Sequence, residues 1–195
     1  MSTVMALEDL PRRHRISVHE YHRMAEVGLL APDARVELIE GEIIDMAPIG
    51  NNHLGTVAML DRMLQRAVDD RAIILCQSSI RLGQDSEPQP DLAVLLPRAD
   101  YYRTPPPPGA ADTLLVIEVS DTTLRYDRHT KVPFYARHGI PEVWLVDLPN
   151  ATVHCFRDLC GERYNSESAT QTPGVIALPG LPGVTIDLSS LFPMG

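Results

Sequence analysis

Asp91, Glu118 and Lys131 are the side chains of this sequence best suited to carry chemistry. Glu118 interrupts the apolar, β-branched run LLVIEVS that begins at Leu114. A carboxylate in such a run is costly unless it is paired or bound to a metal. Asp91 has the same character, because it follows Pro90 and opens the apolar run DLAVLL. Carboxylates at the ends of neighbouring strands can converge on one hard cation. Mg²⁺ prefers oxygen ligands and commonly takes one or two protein carboxylates while keeping waters and phosphate oxygens. The backbone carbonyl of Val119 can add a third ligand. The bland alternative is two strand-end acids facing water.

Lys131 weighs against the bland reading. The chain has 17 basic residues, of which Lys131 is the only lysine. Arginine is therefore the ordinary surface cation here, and a lone lysine marks a position where arginine would not serve. Lysine is a compact point charge that can sit beside a water and a phosphate. The competing reading is an exposed Asp127–Lys131 helical pair four residues apart, a role that arginine would fill equally well. Tyr135 shares the helix face of Lys131 and reads first as a core edge. Glu37 lies among the acids Glu37, Glu40, Glu42 and Asp45, most of which should be solvated. His53 opens a long helix, where a histidine is more often structural than a base.

These residues need elements to position them. Ser17 and Glu20 form a capping box, so a short helix should run to about Val27 and end at Gly28. Residues 34–46 read as a hairpin turning at Glu40-Gly41. Residues 52–70 are the clearest helix, with Leu54, Val57, Leu60, Leu64, Ala67 and Val68 at helical spacing. Residues 72–82, 91–96, 114–120 and 142–148 read as strands, and 122–138 as a helix that Pro133 kinks or delays. The proline-rich segment 98–112 is a surface connection. Segments near Thr152, Arg163 and Val175 make a β-rich C-terminal part. Strand alternation puts Glu118 on the same side as Leu114, Val116 and Ser120. The expected class is α/β (α+β), a mixed sheet flanked by helices. A flexible N-terminal tail over 1–15 is expected to precede a single domain over 16–195.

Composition narrows the function. Hydrophobic residues make up 44% and charged residues 22% of the chain, which supports a sizeable core. The net charge of −9 counts against a protein that coats nucleic acid, though not against an enzyme with a local basic strip. His154, Cys155 and Cys160 lack a second paired ligand set and are read as part of a zinc-free chain with ordinary thiols. No nucleophile elbow, phosphate-binding loop or dinucleotide fingerprint is present. The N-terminal stretch lacks the apolar core of a signal peptide, and no run approaches a membrane span. The expectation is a soluble, cytoplasmic protein without membrane contact.

The segments VELIEGEI, PQPDLAVL and LLVIEVSDTTLRYDRHTKVPFYARHGIPEVWLVDL resemble the Uma-two family of the PD-(D/E)XK nuclease superfamily. The similarity runs from about Ile16 to the end. It implies a restriction-endonuclease-like core in which Asp91 matches the motif aspartate and Glu118 the motif acid. The superfamily's usual lysine follows that acid by two residues, where this chain has Ser120. The family's displaced lysine matches Lys131 on the next helix. Glu37 matches a further family acid, and His53 and Tyr135 match accessory positions. The resemblance implies an Mg²⁺-dependent endonuclease, with Mn²⁺ as substitute, acting on DNA. Asp91, Glu118 and the Val119 carbonyl would hold the ion, and Lys131 and Glu37 would act beside it. Arg125, Arg128 and Arg137 would line the phosphate approach, and a homodimer would cut two strands. The rival readings are a non-catalytic binding or assembly module on the same scaffold, and a carboxylate-pair hydrolase with another substrate.

Overall fold

The computed structural model describes residues 13–192. Of the expected tail, residues 1–12 lie outside the described residues. Residues 13–15 lie against the following hairpin, through an Arg13–Glu42 ion pair of 2.9 Å and an Arg15 guanidinium bonded to the Glu40 carbonyl.

Helix α1 (Val18–Glu26) starts at Ser17, whose hydroxyl accepts from the Glu20 N–H while the Glu20 carboxylate accepts from the Ser17 N–H. It ends at Val27 and Gly28, the latter with φ +77°. Strands β1 (Val36–Ile39) and β2 (Glu42–Asp45) pair antiparallel across Glu40 and Gly41, both left-handed, as a two-residue hairpin turn requires.

Helix α2 (Asn51–Val68) buries Val57, Leu60, Leu64 and Val68. Leu54 departs from the expected apolar face: it is 54% exposed, and the buried residues of α2 begin at Thr56. Strand β3 (Ile73–Cys76) is shorter than the expected 72–82. Gln77 takes φ +45° and turns the chain out of the ladder, although Ile80 and Leu82 beyond it are still buried.

Strands β4 (Leu92–Leu95) and β5 (Thr113–Ser120) follow, separated by the proline-rich surface connection. The next helical stretch has three parts. Helix α3 (Leu124–Tyr126) leads into a π-helical turn (Asp127–Lys131), and helix α4 (Val132–Arg137) continues to Gly139. Pro133 has no N–H to close an α-helical bond, and the widened turn just before it is closed by Val132 N–H donating to the Asp127 carbonyl. The kink expected at Pro133 is thus a π turn.

Strands β6 (Val143–Asp147), β7 (Thr152–Cys160) and β8 (Arg163–Thr170) complete one six-stranded sheet in the order β3-β4-β5-β6-β7-β8. Only β5 and β6 run parallel, joined by the helical crossover. The last pair, β9 (Val175–Ala177) and β10 (Thr185–Asp187), is separate. One sheet face buries Leu115, Ile117 and Val119 against α2 and the C-terminal segment. The other buries Val116 and Leu145 against Phe134, Tyr135 and the hairpin's Ile39. The architecture is the mixed sheet flanked by helices expected from the sequence. Among the described residues, no helix is long and apolar enough to cross a membrane.

The burial of α2 sets a direct test. Leu60→Ala should cost about 2–5 kcal/mol in urea unfolding, whereas Leu54→Ala should stay within about 0.5 kcal/mol. Equal losses would show that Leu54 packs as part of the core.

Candidate active site

The register of β4 and β5 fixes the first two acids. Leu92 pairs with Ile117, so Asp91 stands opposite Glu118 where β4 begins. The Val119 N–H donates to Asp91 Oδ2 at 2.9 Å. In a strand, a residue's N–H and C=O point to the same side, so the Val119 carbonyl also faces the Asp91 side. His53 Nε2 lies 3.1 Å from the same Asp91 oxygen, and Gln77 Nε2 lies 3.4 Å from Oδ1. The Asp91 hydrogen bond is the main influence holding the imidazole above its ordinary pKa. Nε2 is then the donor, since a carboxylate can only accept.

Glu118 is met from the helical crossover. Lys131 Nζ sits 2.7 Å from Glu118 Oε1, and the Tyr135 hydroxyl donates to that same oxygen at 2.5 Å. Both contacts fall on Oε1, which leaves Oε2 for a further partner. Lys131 also reaches Glu37 Oε2 on β1 at 3.3 Å, and that oxygen accepts from the Gln89 N–H at 3.0 Å. Glu37 and Glu118 are each 3% exposed, Lys131 4% and Asp91 9%. Buried ions at such exposures persist only when paired. The structure thus brings Glu37, His53, Asp91, Glu118, Lys131 and Tyr135 into one place.

It also adds residues that sequence reasoning passed over. The expected alternative of an exposed Asp127–Lys131 pair is wrong in both respects. Asp127 and Lys131 are both buried. Asp127 Oδ2 accepts from the Ser120 hydroxyl at 2.6 Å and from Thr123 at 2.5 Å, rather than pairing with Lys131 directly. Ser120, two residues beyond Glu118, therefore ties the strand to the π turn that carries Lys131. Arg35 and Tyr126 line the cleft as well. The arginines expected along the phosphate approach are elsewhere: Arg128 bonds Glu167 at 2.6 Å and Arg137 bonds Glu40 at 2.8 Å, and Arg125, Arg128 and Arg137 are all absent from the cleft walls.

The cleft has a volume of about 590 Å³. At its floor the buried carboxyl groups of Glu37, Asp91, Glu118 and Asp127 outnumber one ammonium, that of Lys131. Burial alone would lower the Lys131 pKa, but Glu118, Glu37 and Asp127 outweigh it and hold the ammonium above its usual range. Burial pushes the Glu118 carboxyl up to about 8 against the pull of Lys131, with Asp91, Asp127 and Glu37 adding to the rise. For Lys131 the surrounding acids prevail over burial, whereas for Glu118 burial leads and the neighbouring acids add to it. Among the described residues, no three or more His, Cys, Asp or Glu side chains form a ready-made metal cluster. The oxygens that could hold a metal are those of the Asp91 and Glu118 carboxylates and the Val119 carbonyl, a set whose chemistry suits a hard cation still carrying waters.

The Uma2 family model, described as "Putative restriction endonuclease", matches residues 18–189. The chain belongs to the Uma2 family. A solved structure described as a putative nuclease belonging to DUF820, from Anabaena variabilis, is similar with a TM-score of 0.68 and 18% identity. The match covers 91% of this chain and 97% of that one, and at this identity it speaks for the fold. The comparison with curated proteins gives no match. The Uma2 family is one of nuclease-type hydrolases, and the shared fold agrees with membership in it.

The Glu118 carboxyl sets a pH dependence. Its folded pKa of about 8 lies above the ordinary 4.5. The stability tied to its bound proton is therefore full below about 4.5 and lost as pH rises through about 8. Lys131 contributes nothing in that window, since its shift lies above the usual lysine range. In EDTA, wild type should lose stability between mildly acid and alkaline pH by a few kcal/mol more, to order of magnitude, than Glu118→Gln. Parallel urea-unfolding profiles for the two proteins would refute the assignment.

Proposed function

We propose that this Uma2 protein is a divalent-cation-dependent endonuclease that hydrolyses phosphodiester bonds of DNA. One observation carries the reading: a single buried lysine bridges Glu118 and Glu37 beside Asp91, at the end of two strands and on the floor of an open cleft. A purely structural ion pair has no reason to sit in a cleft with acids in excess.

Asp91, Glu118 and the Val119 carbonyl would hold the ion, Mg²⁺ by preference and Mn²⁺ in its place. Such an ion supplies positive charge to the scissile phosphate and lowers the pKa of a water beside it. The remaining work falls to the chain's own groups. His53 and the Val119 N–H fix the Asp91 carboxylate, and Tyr135 fixes Glu118. Lys131 holds its ammonium where it can approach a non-bridging phosphate oxygen and stabilise the charge that develops there. Glu37 accepts a hydrogen bond from the attacking water and orients it. A water oxygen–phosphorus bond forms and one phosphorus–oxygen bond to the sugar breaks. The water's proton leaves through Glu37 to solvent, and the departing oxygen takes a proton. One site cuts one linkage, so cutting both strands would take two copies, as in a homodimer.

A non-catalytic module on the same scaffold is the second reading. Its support is that Arg128 and Arg137 are committed to acids away from the cleft.

Calorimetric Mn²⁺ titration and DNA cleavage separate the readings. Wild type should bind Mn²⁺ saturably, and Asp91→Asn should lose that binding. Glu118→Ala should abolish cleavage, and Lys131→Arg should reduce kcat by about 10²–10³, the scale of losing one charge-stabilising donor. Full cleavage by Glu118→Ala would overturn the assignment of the acid. Cation binding without cleavage of any DNA would favour the non-catalytic module.

A further inference from the structure

Resting on the nuclease reading, we infer that the substrate strand enters this cleft unpaired: the site takes a single-stranded or extruded nucleotide rather than a linkage within continuous duplex. The first observation is depth. The Lys131 ammonium and the carboxylates beside it lie on the cleft floor, nearly out of reach of solvent. A phosphodiester must descend between the walls to meet them, and a paired strand cannot do so without carrying its partner along.

The second observation is the character of the walls. One wall is the segment from Ile44 to Gly50, which includes Met46, Pro48 and Ile49. Arg35 fixes it, donating to the Ala47 carbonyl at 2.8 Å while its own carbonyl accepts from the Met46 N–H at 2.9 Å. The lining also holds Thr122, Thr123 and the aromatic side chain of Tyr126. Apolar side chains together with an aromatic ring suit the faces of a nucleobase, which a duplex hides in its stack. Unpaired bases pack on such surfaces with little sequence preference. The volume of about 590 Å³ falls within the range of sites that enclose one small ligand.

The third observation is charge at the mouth. Tracking a duplex needs a row of cations against successive phosphates. The cationic side chains in the lining are Arg35, His53 and Lys131, and the last two already face acids. Asp45 and Asp121 line the cleft too, together with the exposed apolar side chain of Ile49. This lining offers contact to a base and repulsion to a second phosphate backbone.

The Tyr126 hydroxyl gives a fourth, independent sign. It is a buried hydroxyl on a cleft-lining side chain, and among the described residues it has no hydrogen-bond partner. A buried polar group in that state calls for a partner the protein itself does not supply. A small opening of the cleft would let it donate to a phosphate or base acceptor.

The test is fluorescence anisotropy in Ca²⁺ with a labelled oligothymidine, the same strand annealed to its complement, and that duplex with a central unpaired bulge. The single strand and the bulged duplex should bind at least about tenfold more tightly than the continuous duplex, the scale of one base stacked on a protein wall. Ile49→Glu, on an exposed position that leaves folding intact, should remove most of that preference. Tighter or equal binding of the continuous duplex overturns the inference, as does binding of none of the three. Cleavage of the same three substrates in Mn²⁺ is read separately. A single-strand preference in binding without any cleavage defeats the nuclease reading and leaves this inference standing.

Discussion

Burying Lys131 between Glu118 and Glu37 is the constraint on which the rest of the site depends. An ammonium taken out of water is tolerated only where carboxylates replace its hydration. Those carboxylates come from separate parts of the chain: Glu118 from the central strand β5 and Glu37 from the hairpin that closes over the sheet end. The lysine thereby ties hairpin, sheet and crossover helix at one point. Because the acids outnumber it, the pair is not self-sufficient. The surplus negative charge is what a bound cation would relieve, and it adds to the rise that burial gives the Glu118 pKa.

The crossover solves a geometric problem. With Ser120 two residues beyond the strand acid, the positive charge must come from elsewhere. Ser120 instead holds Asp127, and Asp127 sits at the start of the π turn that carries Lys131 inward. Carried on a widened helical turn, Lys131 holds its charge beside Glu118. The turn also places Tyr135, four residues further on, against the same carboxylate oxygen.

Much of this was legible in the sequence where the signal is local. The Ser17–Glu20 cap, the Glu40-Gly41 turn and the alternation through Glu118 depend on neighbours a few residues apart. Asp91 and Glu118 stood out because each breaks an apolar run, and Lys131 because it is the single lysine among arginines. The illegible features depend on distant partners or broken periods. Gln77 leaves the ladder through a left-handed backbone that no turn motif announces. The π turn defeats residue counting at a 3.6 period, so Asp127 looked like a solvated partner of Lys131. The cleft wall at Ile44–Gly50 acquires meaning only once the hairpin's Glu37 is bonded to Lys131. Leu54 fits the helical stripe, yet it is exposed.

The central claim is that the Lys131-braced carboxylates form a cation centre. Crystals of the full chain soaked in Mn²⁺, with anomalous scattering recorded at the manganese edge, test it most directly. The account predicts a single strong peak bridging the Asp91 and Glu118 carboxylates beside the Val119 carbonyl, lost in Asp91→Asn. A peak at some other group of residues, or none in a lattice that leaves the cleft open, would contradict it.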